Sequence, residues 1–169
     1  MKKKIAILGS TGSIGKSLLD IISKDKNNFN VVLLTADKNY KLLLHQAKKF
    51  KVKNVILTNT KIFDKNKLIF TKNKIQIFNS FKNLKKIFKN KIDYTMSAVI
   101  GLDGLYPTIE IIKFSKTIGI ANKESIICAW DLIKKQLDKF KTNFIPIDSE
   151  HFSIWSLIEN YKLPNIKKI

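Results

Sequence analysis

Three short stretches of the chain carry residue types suited to chemistry. The first is Gly9-Ser10-Thr11-Gly12-Ser13-Ile14-Gly15. Glycines at this spacing leave the backbone unobstructed, and between a strand and a helix they aim N–H groups, at the positive end of the helix dipole, towards an anion such as a pyrophosphate. Against the pattern G-x-G-x-x-G, Gly12 and Gly15 fall in register, while the first glycine is displaced by one residue to Gly9 and Ser10 takes its place. The second stretch is Ala121-Asn122-Lys123-Glu124-Ser125. Asn122 suits a helix N-cap with Ser125 three residues on. A plain helix start accounts for those two, but Lys123 puts a cation where the helix dipole opposes it, a mild cost that an anionic ligand would offset. The third is Asp148-Ser149-Glu150-His151. In an extended segment residues two apart point to one side. Asp148 and Glu150 would then present paired oxygens of the kind that suit Mg²⁺ or Mn²⁺, hard cations able to polarise a carbonyl. A solvated turn is the plain alternative, weakened by the scarcity of acids, 13 in the whole chain. His151 fits a ligand, a proton carrier or a structural residue equally well.

Asp37-Lys38-Asn39 follows the second apolar run. An acidic residue there takes the ribose 2′-OH of NAD, and a basic one tolerates the 2′-phosphate of NADP. Asp37 points to NAD, Lys38 with Asn39 to NADP, and the balance leans to NADP. His45 falls on a helical pattern and reads as surface or packing. Cys128 reads as a small buried apolar residue on its helix.

These stretches need elements to position them, and the hydropathy pattern supplies strands alternating with helices. Strands are expected at Ile5–Leu8, Val31–Thr35, Val55–Leu57, Tyr94–Val99, Thr117–Ile120 and Phe144–Ile147, with a further one at Ile75–Phe78. Helices are expected over Ser13–Ser23, Tyr40–Phe50, Leu105–Phe114 and Ser125–Phe140. Between Lys61 and Lys91, Lys, Asn and Phe alternate without a clean period; a helix near Phe81–Phe88 is the one pattern there, with Phe81, Leu84 and Phe88 as a core face rather than a base-stacking platform. The tally is about six strands with helical crossovers, an α/β, Rossmann-like, doubly wound parallel sheet. All three chemical stretches then fall at the C-terminal ends of strands.

Composition sets the outer bounds. The 169 residues are 44% hydrophobic and 27% charged, and the apolar runs are strand-sized, far short of the roughly 18 residues that cross a bilayer. One cysteine excludes an internal disulfide framework and fits a reducing compartment. No signal-peptide h-region follows Lys2–Lys4, so the start reads as cytosolic. The net charge of +19 invites a polyanion partner. Every basic residue is Lys, however, so the guanidinium fork that most often reads guanine is missing. Lys, Ile and Asn make up 74 of the 169 residues, all with A/T-rich codons, which points to genome bias rather than sequence-specific nucleic-acid binding.

Taken in order and spacing, Gly9–Gly15, Ala121–Ser125 and Asp148–His151 closely resemble the 1-deoxy-D-xylulose 5-phosphate reductoisomerase family. The likeness runs over nearly the whole chain and is weakest from Lys61 to Lys91. It implies an NADPH- and divalent-metal-dependent step of non-mevalonate isoprenoid synthesis that yields 2-C-methyl-D-erythritol 4-phosphate. The metal would be Mn²⁺ or Mg²⁺, with Co²⁺ a further candidate. By position, Thr11, Gly12, Ser13 and Ile14 would hold the cofactor phosphates. Asp37, Lys38 and Asn39 would lie near the 2′-phosphate, with Asn122 and Glu124 also touching NADPH. Lys123, Ser149 and Glu150 would contact substrate, Lys123 and Glu150 as the catalytic pair, and Asp148 and Glu150 would bind metal. Asp37 departs from the small residue expected there.

The resemblance implies a cytoplasmic homodimer and family members at least twice as long. Residues 1–147 are then expected to form the NADPH-binding domain and 148–169 only the beginning of a catalytic domain, a fragment that binds NADPH without turning over. Two rivals remain. A different Rossmann-type dehydrogenase, of the aspartate-semialdehyde kind, would need a nucleophilic cysteine, and Cys128 inside a helix is badly placed. A basic nucleic-acid-binding module is supported by charge alone.

Overall fold

The computed structural model describes residues 1–161, with side chains described to residue 158. Seven strands form one sheet: β1 Lys3–Leu8, β2 Phe29–Ala36, β3 Asn54–Leu57, β4 Gln76–Phe78, β5 Ile92–Ser97, β6 Ser115–Ile120 and β7 Asn143–Pro146. Their order across the sheet is β4-β3-β2-β1-β5-β6-β7, every neighbouring pair parallel. The helices are α1 Ser13–Lys24, α2 Tyr40–Lys49, α3 Thr60–Lys72, α4 Leu84–Ile87, α5 Leu105–Ile112, α6 Lys123–Phe140 and α7 Ser149–Tyr161. No described helix is long and apolar enough to cross a membrane.

Helices cover both faces, which is why the central strands are apolar without alternation. On one face Ile5 and Ile7 pack with Leu19 and Ile22 of α1, Leu43 and Ala47 of α2, and Phe70 of α3. On the other, Ala6 and Leu8 pack with Leu84 of α4, Ile111 and Ile112 of α5, and Ile126, Ile133 and Leu137 of α6. Each of these side chains is nearly or fully buried. Burial on that scale stabilises by roughly 1.5–3 kcal/mol per large apolar side chain.

After β1 the chain steps outward to β4, then returns to lay β5 against the other side of β1. That reversal opens a crevice beyond the C-terminal ends of β1 and β5, the place where doubly wound sheets hold ligands.

The further strand expected at Ile75–Phe78 is present as Gln76–Phe78, which pairs with β3 and brings the count to seven. Three other local expectations are corrected. The unpatterned stretch contains α3, capped by Asn59 accepting from the Ile62 N–H; its surface carries Leu68 and Ile69 exposed, which blurs the helical period. Phe81–Phe88 is a 3-10 turn, Phe81–Asn83, followed by the single turn of α4, although Phe81, Leu84 and Phe88 are core as expected. Cys128 is exposed. It lies just before Ala129, whose φ of −144° breaks the helical path of α6.

Candidate functional site

The glycine turn is fixed by close backbone packing. Gly9 has φ of +77°, and a Cβ there would lie 2.6 Å from the Ala98 carbonyl oxygen. A Cβ on Gly15 would lie 2.6 Å from both the Gly9 carbonyl oxygen and Ser10 Cα. Gly12 differs: its φ is −76°, and a Cβ would meet only the Gly9 oxygen at 3.4 Å, an ordinary contact. The fold therefore demands glycine at 9 and 15 but not at 12, where the missing side chain leaves room over the N-terminus of α1. That N-terminus has no side-chain cap and no acid in its first turn. The N-termini of α2, α3 and α6 are capped by Asn39, Asn59 and Asn122. An uncapped helix start beside an open backbone is an anion site in waiting.

Ser10, in the place of the missing glycine, is an anchor rather than a ligand. Fully buried, its N–H donates to the Thr35 carbonyl at 2.9 Å and its hydroxyl lies 2.8 Å from Gln46 Oε1, while Gln46 Nε2 donates to the Ser10 carbonyl at 2.9 Å. The Gly9 N–H donates to Thr35 Oγ1 at 2.9 Å. A side-chain network under α2 thus holds the turn against β2.

Two cavities open along the C-terminal edge of the sheet. The first, about 630 Å³, runs from the turn over the ends of β2, β3 and β4, with Gly9, Thr11, Gly12, Asp37, Thr58 and Ser80 in its lining. The second, about 410 Å³, brings Ile14 together with Ala121–Glu124 and Ile147–Glu150. They share Ala98, Val99 and Ile100 at the end of β5. The three separated chemical stretches therefore meet on one rim.

In the first cavity Asp37 turns towards β3, its Oδ1 accepting from the Thr58 hydroxyl at 2.9 Å. Lys38 Nζ stands 4.0 Å from Asp37 Oδ2 with its side chain 73% exposed. Asn39 commits its Oδ1 to the Leu42 N–H as the α2 cap. Around the second cavity, Asn122 is buried; its Oδ1 accepts from the Ser125 N–H at 2.8 Å, and its Nδ2 donates to the Val99 and Gly101 carbonyls. Asn122 thus fixes the shared wall of the two cavities. Its side chain is fully engaged, leaving only its backbone for a ligand. Glu124 and Lys123 are exposed on the first turn of α6.

The expectation of an extended Asp148–Glu150 is overturned. Residues 149–161 form α7, so Asp148 sits at the helix start and Glu150 in the first turn. The reason is local: Asp148 Oδ1 accepts from the His151 N–H at 3.0 Å and contacts His151 Nδ1 at 2.6 Å, a carboxylate cap three residues ahead of its donor. The helical start, not strand alternation, places both residues in the lining of the second cavity. His151 is thereby a structural partner of Asp148. Burial pushes the Asp148 carboxyl up, but the His151 N–H and ring outweigh it and hold it below its ordinary range. The Glu150 carboxyl is also held low, by its own N–H, the Ser149 hydroxyl and Lys123, whose Nζ lies 3.9 Å from Glu150 Oε1.

Asp148 Oδ2 is buried with no hydrogen-bond partner. A buried carboxylate oxygen left unpaired is costly, and a hard cation is the partner its chemistry suits. The donor chemistry fits a divalent ion, with Asp148 offering this atom and Glu150 a second carboxylate in the lining of the same cavity. Among the described residues no group of three or more His, Cys, Asp and Glu side chains is placed to hold a metal.

Sequence reasoning passed over Thr58, Asn79, Ser80, Ile100 and Tyr106 in the first cavity. Asn79 Nδ2 donates to the Leu57 and Thr58 carbonyls, closing the end of β3. The signal available was topological: Thr58, Asn79 with Ser80, and Ile100 follow β3, β4 and β5, and Tyr106 lies in the helix after β5, all beyond strand ends where side chains reach the crevice.

A family model described as 1-deoxy-D-xylulose 5-phosphate reductoisomerase matches residues 5–130. A reductoisomerase of that name from Pelagibacter ubique is 60% identical over 169 residues, 99% of this chain and 44% of that protein. The solved reductoisomerase of Zymomonas mobilis in complex with NADPH is 32% identical with a TM-score of 0.80, covering 89% of this chain and 40% of the other. A DOX-P reductoisomerase solved with NADPH, fosmidomycin and magnesium gives 32% and 0.80, over 88% of this chain and 37% of that one. The chain thus spans less than half the length of the relatives it matches.

Proposed function

The chain belongs to the 1-deoxy-D-xylulose 5-phosphate reductoisomerase family, and from that premise we propose that it forms the NADPH-binding part, and one wall of the active site, of an enzyme converting 1-deoxy-D-xylulose 5-phosphate to 2-C-methyl-D-erythritol 4-phosphate. One observation carries the reading: the uncapped α1 start and the Asp148–Glu150 pair open onto two cavities with a common wall at Ala98–Ile100. On this reading residues 1–147 are the dinucleotide domain, and Asp148 onward begins the catalytic part. The whole protein works as a cytoplasmic homodimer in isoprenoid synthesis.

The backbone of Thr11, Gly12, Ser13 and Ile14 receives the pyrophosphate, with the α1 dipole favouring its charge. Asp37, Lys38 and Asn39 border the adenosine ribose, and Glu124 with the Asn122 backbone borders the nicotinamide end. Ile14 and Ile100 line the second cavity between these two ends. Asp148 and Glu150 hold the divalent ion, and Lys123 and Ser149 face the substrate's oxygens; once substrate separates Lys123 from Glu150, the ammonium is free to answer its negative charge. When bound, the cofactor supplies a hydride and the ion polarises the carbonyl of the bond that rearranges.

Calorimetric titration tests the reading. NADPH should bind the purified chain, and Gly12→Val, which fills the space over α1 without disturbing its packing, should abolish binding while the circular dichroism spectrum is kept. Binding that survives Gly12→Val would overturn the placement.

A further inference from the structure

The first cavity has a charge opposite to that of the molecule. In a chain with 32 lysines and net charge +19, its described lining contains no lysine and two carboxylates, Asp37 and Asp103. Asp37 sits just past the end of β2, where a dinucleotide site meets the adenosine ribose. It is held there: Thr58, at the end of β3, donates its hydroxyl to Asp37 Oδ1 at 2.9 Å. The other oxygen, Oδ2, stands 4.0 Å from Lys38 Nζ. Lys38, the lysine next to this position, therefore already has a carboxylate for a neighbour.

A 2′-phosphate carries close to two negative charges and only acceptor oxygens. A fixed carboxylate repels it and offers it no donor, whereas a ribose 2′,3′-diol offers two hydroxyl donors to that same carboxylate. We propose that Asp37, positioned by Thr58, makes this dinucleotide site accept the unphosphorylated ribose, so that NADH competes with NADPH for it. The inference rests on the proposed dinucleotide site and alters its specificity. Lys38 keeps NADPH binding alive, since its exposed side chain can swing from Asp37 to a phosphate.

The experiment is a calorimetric titration of the whole 169-residue chain with NADH and with NADPH, repeated on Asp37→Gly, Asp37→Asn and Thr58→Val, each checked by circular dichroism. NADH should bind within tenfold of NADPH in the unchanged chain. Asp37→Gly and Asp37→Asn should shift the affinity ratio towards NADPH by about tenfold or more, the order expected for removal of one like-charge contact near a surface. Asp37→Asn keeps the shape and the acceptor for Thr58, so it isolates charge from packing. Thr58→Val should shift the ratio the same way but less, because the carboxylate stays but loses its anchor. A preference for NADPH above tenfold in the unchanged chain, or ratios in both Asp37 variants within threefold of it, would overturn the inference and leave the proposed function standing. Failure of either nucleotide to bind the folded chain would overturn both.

Discussion

The two halves of the crevice are built differently. On the side of β1 to β4 the ligand-facing loops are locked from beneath: buried Ser10 bonds to both Thr35 and Gln46, themselves buried, and Asp37 and Asn79 are tied to the end of β3. On the side of β6 and β7 the contacts are looser. Lys123 and Glu150 form an exposed pair at 3.9 Å, and Asp148 holds an unpaired oxygen. Beneath them Ile126, Ile127, Trp130, Phe144, Ile154 and Trp155 line an open apolar groove, with Ile127 70% exposed. A dinucleotide binds well to a preformed surface, because affinity rises when little ordering is left to do. A site that takes a metal and a reacting substrate needs groups whose partners can change. The difference matches the proposed division of labour between cofactor and substrate.

The largest effect should come from breaking the rigid half. Gly15→Ala sets a Cβ against backbone that cannot move away, and should cost about 3 kcal/mol with loss of nucleotide binding. Gly12→Ala, three residues earlier, should change stability by under about 0.5 kcal/mol and weaken NADPH by about tenfold, the scale of one charge-assisted hydrogen bond. Chemical denaturation and calorimetry on the pair test this; equal destabilisation by both would erase the distinction drawn between the glycines. Next in size is Ser10→Ala. It leaves Gln46 Oε1 buried without a donor and should cost about 1–3 kcal/mol, with NADPH affinity falling in step as the turn loosens.

Legibility in sequence cuts across the two halves. Gly9–Gly15 after an apolar run gave the strand, the turn and the helix, and Asn122 with Ser125 gave the α6 cap, because those rules depend on neighbours along the chain. What escaped depended on neighbours in space. Ser10, legible only as the residue in the place of a glycine, is an anchor, since its partner Gln46 is 36 residues away. Asp148–Glu150 looked extended because alternation was applied to residues that a capping carboxylate had already turned into a helix. α3 was hidden by exposed Leu68 and Ile69, apolar side chains on the face where a periodicity test expects polar ones. The clustering of the three motifs on one rim followed from a parallel sheet, and needed only the strand order.

The looser half carries its own reporter. Both tryptophans of the chain, Trp130 and Trp155, line its apolar groove, and Trp130 packs on Phe144 with ring centroids 5.4 Å apart. Tryptophan fluorescence therefore follows β7, α6 and α7, while far-ultraviolet circular dichroism follows the whole sheet. The fluorescence transition in urea should precede the dichroism transition, and amide exchange in α7 should be less protected than in β1 by about 2 kcal/mol. Coincident transitions would show that the two halves unfold as one and remove the dynamic side of the comparison.

The smallest expected effect concerns the tie between the halves. At the opposite edge of the sheet from the crevice, Asp93 on β5 accepts from Lys116 Nζ of β6 and from the Lys4 N–H of β1, each at 2.8 Å. The Lys116 hydrogen bond first, and the Lys4 N–H second, hold its carboxyl below the usual carboxylate range. A carboxyl depressed in the folded chain contributes its stability at pH values above the unfolded value of about 3.9, and loses it as pH falls through the lower folded value. Because the pair is solvent-screened, the contribution should be a few tenths of a kcal/mol. Asp93→Asn should lower stability slightly at pH 7 and not at pH 2, and should flatten the acid limb of the stability curve. Its effect should be stronger on the urea midpoint read by fluorescence than on NADPH affinity, since β1 keeps its own clamp on the glycine turn through Ser10 and Thr35. If NADPH affinity fell further than the midpoint moved, the cofactor half would be leaning on its neighbour after all, and the independence of the two sides would have to be given up.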